Sequence, residues 1–143
     1  MAEGRYNIVK KLESDLFPNK GIGINIPFDG NTGINSTFLS KDAIRANLLN
    51  FFLTARRERV FNPQFGSGLR NLLFEPLTDD NKNAIRVFIE EGVAAYFPKV
   101  NIEDINIGFR EDENIALINF KYSIKNTNIT DELNITFTNV STI

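Results

Sequence analysis

Apolar side chains occupy every second position between residues 116 and 124, where the sequence reads Ala-Leu-Ile-Asn-Phe-Lys-Tyr-Ser-Ile. A period of two residues places these side chains on one face of a β-strand, whereas a helix would spread them around its circumference. Two further apolar runs, at residues 100–109 and 129–137, flank this one, with polar turns at residues 111–114 and 126–128 between them. Because the turns are short, the three runs predict an antiparallel three-stranded meander.

The first of these runs changes phase partway along its length. Val100 and Ile102 alternate in one phase, whereas the apolar residues from position 105 onward alternate in the other. One extra residue in a strand produces such a shift, so we expect a β-bulge near Glu103 and Asp104.

A segment upstream of the meander has the spacing of an amphipathic helix. Ser40 is the expected N-cap, and Asp42 lies in the first turn, where a negative charge suits the helix dipole. The apolar stripe consists of Ile44, Leu48, Phe51, Phe52 and Ala55. We expect this helix to end before Asn62-Pro63, because the residue that precedes a proline is pushed out of the helical region.

A second long helix is expected from an N-cap at Thr78 or Asp79 to the stop signal at Phe97-Pro98. A short helical turn is expected at residues 69–74, between the two long helices. Most of the 13 phenylalanines occur at helical or alternating spacing, so we expect them chiefly in the core. Two helices that cover one face of a three-stranded sheet predict the α+β class.

The first forty residues contain little helical periodicity. Residues 22–28 alternate like an edge strand that contains Pro27, and the glycine-rich cluster at residues 29–33 marks a turn. The sequence therefore predicts an extended N-terminal arm at residues 1–40, followed by a single α+β domain at residues 41–143.

Histidine and cysteine are both absent from the 143 residues. Their absence excludes triads with an imidazole base, disulfides and the usual zinc sites, and we expect no cofactor. The net charge of −2 gives no reason to expect binding to nucleic acid or to a membrane. The apolar stretches are too short to span a bilayer, and the start of the chain lacks a secretory signal, so we expect protein partners and a cytoplasmic site of synthesis.

Residues 54–69 read Thr-Ala-Arg-Arg-Glu-Arg-Val-Phe-Asn-Pro-Gln-Phe-Gly-Ser-Gly-Leu, and residues 73–76 read Leu-Phe-Glu-Pro. This order closely resembles the signature of the gene-twenty-five-like (GPW) baseplate wedge family, whose type VI secretion counterpart is TssE. The family signature contains Thr-x-x-Gly-Glu-Arg, then Pro-x-Phe-Gly-Ser-Gly-Leu and Leu-Phe-Glu-Pro. The likeness extends over about residues 21–125.

The chain departs from this signature at two places. Arg57 stands where the family commonly has glycine, and we expect the helix to run one residue further for that reason. The family's Glu-Pro-Arg after the second helix, which is thought to grip neighbouring wedge subunits, corresponds to Phe97-Pro98-Lys99. Lys99 keeps the charge but cannot form the bidentate contacts of an arginine.

The resemblance implies a structural protein of a contractile-tail baseplate in the virion, made in the host bacterial cytoplasm. Such a protein lies between the inner baseplate ring and the first sheath disc, and its terminal strands imitate those of a sheath subunit. The implied partners are the tail sheath protein, the inner wedge proteins and the tail tube or hub proteins. The expected partner-binding residues are Arg56, Arg57, Glu58, Arg59, Glu75, Pro98, Lys99, Leu133, Ile135 and Phe137.

The last predicted strand, at residues 129–137, leaves one edge of the meander without a neighbour. From Asn134 to Ile143 the chain contains neither a charge nor a proline, the usual devices that block an exposed edge. We therefore expect another chain to add a strand there, the alternative being a frayed tail.

Some members of the family are named lysozymes, so a peptidoglycan-cleaving muramidase is the alternative function. Glu58 and Glu75 are the two carboxylates of the motif, and glycoside hydrolysis needs two carboxyl groups that face each other across the sugar. Glu58 lies between Arg57 and Arg59, which favours the ionised form over a proton donor. We therefore expect structural roles for both carboxylates and no enzymatic activity.

The arginines of the motif are also compatible with a basic patch. That patch would consist of Arg45, Arg56, Arg57, Arg59 and Arg70. No nucleic-acid recognition module accompanies them, and arginine is favoured at protein interfaces, so we expect internal pairing or contact with a protein.

Overall fold

The computed structural model describes residues 15–16, 21–26, 35–73, 78–113 and 115–138. The helices are α1 (Ser40–Leu53), α2 (Leu69–Leu73) and α3 (Asp79–Tyr96). The strands are β1 (Gly23–Ile24), β2 (Ser36–Thr37), β3 (Val100–Arg110), β4 (Ile115–Ile124) and β5 (Thr130–Thr138). A single turn of 3-10 helix, Glu111–Glu113, joins β3 to β4. The predicted α+β class is confirmed.

The last three strands form an antiparallel sheet with β4 in the centre, which confirms the meander. The register of β3 against β4 shifts between Ile102 and Asp104, where the bulge was expected. The pairing of β4 with β5 runs without a shift from Ile115↔Thr138 to Ser123↔Thr130. The two outer strands therefore differ, because β3 is interrupted and β5 is regular.

The core lies between the inner face of this sheet and the two long helices. Phe52 of α1 contacts Phe120 of β4 edge to face, with ring centroids 5.6 Å apart. Phe51, on the same helix, contacts Tyr96 of α3 at a centroid distance of 5.1 Å. Removing each large side chain of this kind from water contributes about 1.5–3 kcal/mol. The buried residues of β4 are Ala116, Ile118, Phe120, Tyr122 and Ile124.

The beginning of α1 differs from the sequence prediction. Leu39 is the N-cap and Ser40 is already the first helical residue, so the serine hydroxyl does not cap the helix. The Ser40 N–H donates instead to the Asp15 carboxylate at 2.7 Å. A carboxylate at this end satisfies one free N–H and complements the helix dipole.

The end of α1 also differs, since the helix stops at Leu53 and not before Asn62-Pro63. Thr54 is the C-cap in an extended conformation, and its hydroxyl donates to the Asn50 carbonyl at 2.6 Å. The Thr54 carbonyl accepts the Ser67 N–H at 3.1 Å. The helix therefore ends where the following segment folds back on it.

The limits of α3 agree with the sequence prediction. The Thr78 hydroxyl accepts the Asn81 N–H at 3.3 Å, which is the geometry of an N-cap. At the other end Phe97 is the C-cap, and its N–H donates to the Val93 carbonyl at 2.8 Å.

In the N-terminal region, β1 pairs with β2 in antiparallel orientation. The expected strand over residues 22–28 is observed as Gly23–Ile24, whereas Pro27 and the turn at residues 29–33 lie outside the described residues. The division into an arm and a domain near residue 40 stays a prediction.

Candidate assembly surfaces

The connector between α1 and α2, residues 54–68, contains a non-glycine residue in the left-handed region. Arg57 has a φ of 68°, and its N–H donates to the Pro63 carbonyl at 3.0 Å. The expected extension of the helix by one residue is therefore wrong, because α1 has ended and Arg57 adopts a conformation that glycine prefers. Glycine suits this position of the family signature because it adopts the left-handed conformation without steric cost.

We expect Arg57→Gly to raise the free energy of unfolding by about 1 kcal/mol, since glycine avoids most of the steric cost of a left-handed residue. Arg57→Ala keeps the Cβ atom and should change the free energy of unfolding by less than about 0.5 kcal/mol. Chemical denaturation of the two variants and the parent measures both effects. Equal unfolding midpoints for the two variants would contradict this explanation of Arg57.

The connector is fixed to the end of α1 by a serine and a glycine. The buried Ser67 hydroxyl donates to the Phe52 carbonyl at 2.9 Å and accepts the Leu69 N–H at 3.2 Å. Gly66 has a φ of 114°, and a Cβ atom there would lie 2.7 Å from the carbonyl oxygens of Thr54 and Ala55. Only glycine therefore permits this close approach of the two main-chain segments.

The charged residues of the motif contact rings and main chain. The Arg59 guanidinium lies 4.0 Å from the centroid of the Phe65 ring, and that of Arg56 lies 5.1 Å from the Phe88 centroid. The Glu58 carboxylate accepts the Ala55 N–H at 2.7 Å. Within the described part of the chain, the arginines of the connector form no ion pair with Glu58, and Arg56 and Arg59 make cation–π contacts. Pairing of these arginines with Glu75 stays a prediction.

Glu75, together with Phe74 and Pro76, lies outside the described residues. Pro98 and Lys99 are exposed in the turn between α3 and β3. Pro98 and Lys125 help to line a groove of about 330 Å³ beside the end of α3.

Phe97 stands where the related signature has a carboxylate, and it contacts Phe51 with ring centroids 5.7 Å apart. The replacement therefore adds a contact to the core at a position that is charged in the family signature.

The three expected binding residues of β5 are part of the core. Leu133, Ile135 and Phe137 are all buried against the helices. Any contact that β5 makes with a partner therefore involves neighbouring positions of the strand.

Among the described residues, no strand lies beside the outer main-chain edge of β5. The Ile124 N–H donates to the Ile129 carbonyl at 3.0 Å. From that pair onward, every second residue of β5 directs its N–H and C=O groups toward β4, and the residues between them direct theirs away. It follows that the N–H and C=O groups of Asn134, Thr136 and Thr138 point away from β4. No described residue bonds to these outward groups.

The opposite edge, on β3, is partly closed. The Ile105 N–H donates to the Asp104 carboxylate at 2.9 Å, and the Ile105 carbonyl accepts from the Arg86 guanidinium at 2.9 Å. The Val100 N–H donates to the Phe97 carbonyl at 2.9 Å. Together with the bulge, these bonds leave β3 less suited than β5 to the addition of a strand.

A charged cluster joins α1 to the start of β5. Arg45 donates to the Asp131 carboxylate at 3.1 Å and to the Glu132 carbonyl at 2.6 Å, and the Lys41 ammonium lies 3.6 Å from Asp131. The buried Tyr122 hydroxyl donates to the same carboxylate at 3.2 Å. No sequence signal indicated this cluster, because Arg45 and Asp131 are 86 residues apart.

Two pKa values in this cluster depart from their ordinary values in opposite directions. Burial, and after it the charge and hydrogen bond of Asp131, raises the pKa of the Tyr122 hydroxyl well above its usual range. Burial opposes ionisation of Asp131, but the Glu132 N–H, Arg45 and Lys41 together lower its pKa. The cluster is therefore stable with an ionised Asp131 and a neutral Tyr122.

This arrangement predicts how stability depends on pH. The lowered pKa of Asp131 contributes stability above about pH 4, which is lost as the pH falls through the folded-state pKa. We expect Asp131→Asn to lower the free energy of unfolding by about 1–2 kcal/mol at pH 7 and by less near pH 3. Thermal unfolding across this range measures the difference, and a pH-independent difference would contradict the role of the charge.

The described residues lack the features of two other kinds of site. They contain no group of three or more acidic side chains placed to hold a metal ion. None of their helices combines the length and the apolar character that a membrane span requires.

Comparison with known proteins agrees with the fold and with the motif. The family profile described as baseplate wedge protein gp25 matches residues 40–129. Baseplate wedge protein gp25 of Enterobacteria phage T4 is 26% identical over 116 residues, which cover 81% of this chain and 83% of the phage protein.

Two solved structures are also similar. A candidate tail lysozyme from Geobacter sulfurreducens is 25% identical with a TM-score of 0.62, and the match covers 69% of this chain and 90% of that one. A chain of the anti-feeding prophage baseplate has a TM-score of 0.52 at 21% identity, covering 80% and 82% of the two chains, and shares the fold. Since the family profile spans most of the chain, including both long helices and two strands of the sheet, this protein belongs to the gp25 family of baseplate wedge proteins.

Proposed function

We propose that this chain is a non-enzymatic wedge component on which the tail sheath begins to assemble. The connector and the Phe97-Pro98-Lys99 turn would bind inner wedge proteins and the tail tube or hub proteins. The edge of β5 would receive the first disc of sheath protein. The protein would be made in the cytoplasm of the host bacterium and function in the virion baseplate.

The difference between the two edges of the sheet is the observation that carries this proposal. An incoming strand needs a row of N–H and C=O groups without partners. Among the described residues, β5 offers them at Asn134, Thr136 and Thr138, in the uncharged part of a regular strand. On β3 the corresponding groups of Ile105 are bonded to side chains. Strand addition at β5 would therefore extend the sheet in one direction, as the start of a polymer requires.

The position of Arg45 supports the same proposal. Its guanidinium donates hydrogen bonds to the Glu132 carbonyl and the Asp131 carboxylate, and these bonds attach the beginning of β5 to α1. No described residue covers the outer edge of the remainder of the strand. The sheath polymer would therefore grow from a strand whose first residues are fixed.

Muramidase activity is the competing function, because the Geobacter sulfurreducens relative bears the name of a tail lysozyme. Glu58 is exposed and its carboxylate accepts a main-chain N–H, a structural role within the connector. We expect purified protein to leave the turbidity of a peptidoglycan suspension unchanged. Clearing that disappears in Glu58→Gln or Glu75→Gln would show an enzyme instead.

Electron microscopy of baseplates that contain a variant with a blocked β5 edge tests the sheath proposal directly. If β5 receives the sheath, such baseplates should assemble but carry no extended sheath. A normal sheath on those baseplates would contradict the proposed function.

A further inference from the structure

Val60 and Phe61 are the two most exposed large apolar side chains among the described residues. Val60 is 87% exposed and Phe61 is fully exposed, although most other phenylalanines of the described chain are buried or partly buried. Phe61 is thus an exception to the expectation that phenylalanines serve the core. Adjacent apolar side chains at the tip of a loop are typical of an anchor that a partner covers.

The loop that carries them is held in shape by its own main chain. Across the tip, the Arg57 N–H donates to the Pro63 carbonyl at 3.0 Å, and the Asn62 N–H donates to the Arg59 carbonyl at 3.3 Å. The Arg59 guanidinium covers the ring of Phe65 beneath the tip. Phe61 is therefore presented to solvent by a loop that its main-chain hydrogen bonds order before a partner binds.

The tip is basic in a chain whose overall charge is −2. Arg56, Arg57 and Arg59 precede Val60 and Phe61 in the same loop and are exposed. The one acidic residue among them, Glu58, accepts a main-chain N–H with its carboxylate. A complementary surface would have an apolar socket surrounded by carboxylates.

We propose that Val60 and Phe61 are the anchor by which this chain enters the wedge, docking into an apolar, acid-rimmed socket on another baseplate protein. This inference rests on the proposed function and adds the contact that must precede sheath docking. A protein socket fits better than a membrane, because two apolar side chains are too few to hold a chain of this size on a lipid surface.

The test compares Phe61→Ser with Val87→Ser, which removes a half-exposed apolar side chain from α3. Tagged variants replace the parent in the phage or injection system that encodes it, and their amounts in purified baseplates are measured by immunoblotting. We expect Phe61→Ser to lower incorporation roughly tenfold or more, as the loss of a central aromatic anchor does. Val87→Ser should be incorporated like the parent, and both variants should melt within about 2 °C of it. Normal incorporation of Phe61→Ser would overturn the proposal.

A second measurement identifies what covers the tip. Phe61 is replaced by the photo-crosslinker p-benzoyl-phenylalanine, and purified baseplates are irradiated. A crosslink to a different baseplate protein, beside Asp or Glu residues, supports the proposal. Crosslinks confined to a second copy of this chain, or binding of the free protein to phosphatidylglycerol vesicles that is lost in Phe61→Ser, would overturn it.

These results are separable from the sheath proposal. Phe61 is expected to act when the chain enters the baseplate, whereas β5 is expected to act when sheath polymerises on baseplates that already contain the chain. A result that contradicts the role of Phe61 therefore does not contradict the role of β5. The converse also holds.

Discussion

Baseplates assembled with Thr136→Pro should contain the protein in normal amount but carry at least roughly tenfold fewer extended sheaths than the parent. The Thr136 N–H points away from β4, so proline at this position removes no hydrogen bond of the folded sheet. It does remove a donor from the outer edge, and its ring obstructs an incoming strand. Electron microscopy of the assembled tails counts the sheaths.

Thr136→Val is the matched control, because it changes the side chain and retains the N–H. It should support normal sheath assembly. Asn134→Pro blocks the same edge one step earlier in the strand and should reproduce the defect. If both proline variants melt like the parent and still produce extended sheaths, strand addition at β5 is wrong.

The sheet could be predicted from the sequence because its determinants are local. Alternation along β4 fixes which side chains face the core, and the phase change between Ile102 and Ile105 fixes the bulge in β3. The same holds for the beginning of α3, where Thr78 and Asn81 are three residues apart.

The limits of α1 could not be predicted, because they depend on distant residues. Asp15 supplies the hydrogen bond at the first turn from 25 positions away, and Ser67 holds the last turn from across the connector. Helical periodicity continues past Leu53 in the sequence, but these tertiary hydrogen bonds decide where the helix ends.

The candidate surfaces were predicted in part. The motif located the connector, but the left-handed conformation of Arg57 became visible only in the backbone. The sequence alone does not distinguish an exposed apolar anchor, such as Val60 or Phe61, from an apolar residue of the core. That distinction requires the tertiary structure, in which Phe65 contacts Phe51 and Tyr96 whereas Val60 and Phe61 are exposed.

Gly66→Ala should lower the free energy of unfolding by about 3 kcal/mol or more, the sum of backbone strain and damaged hydrogen bonds. At a φ of 114° a side chain is strained in any surroundings, and the added Cβ would lie 2.7 Å from two carbonyl oxygens. Those oxygens belong to the main chain, which cannot move aside without displacing Ser67 from the end of α1. Thermal or chemical unfolding followed by circular dichroism measures the loss.

Gly68→Ala is the milder comparison, because both the φ and the surroundings of Gly68 are more favourable to a Cβ atom. Gly68 also has a positive φ, at 55°, but the nearest atoms to its added Cβ are Arg56 side-chain carbons at 3.6 and 3.7 Å. Gly68→Ala should therefore lower the free energy of unfolding by about 1–2 kcal/mol, the usual cost of alanine in a left-handed conformation. Equal losses in the two variants would mean that Gly66 is required for its φ and that the approach of the connector to α1 contributes little. A larger loss in Gly66→Ala is the expected result, since this variant combines a less favourable φ with two close main-chain oxygens.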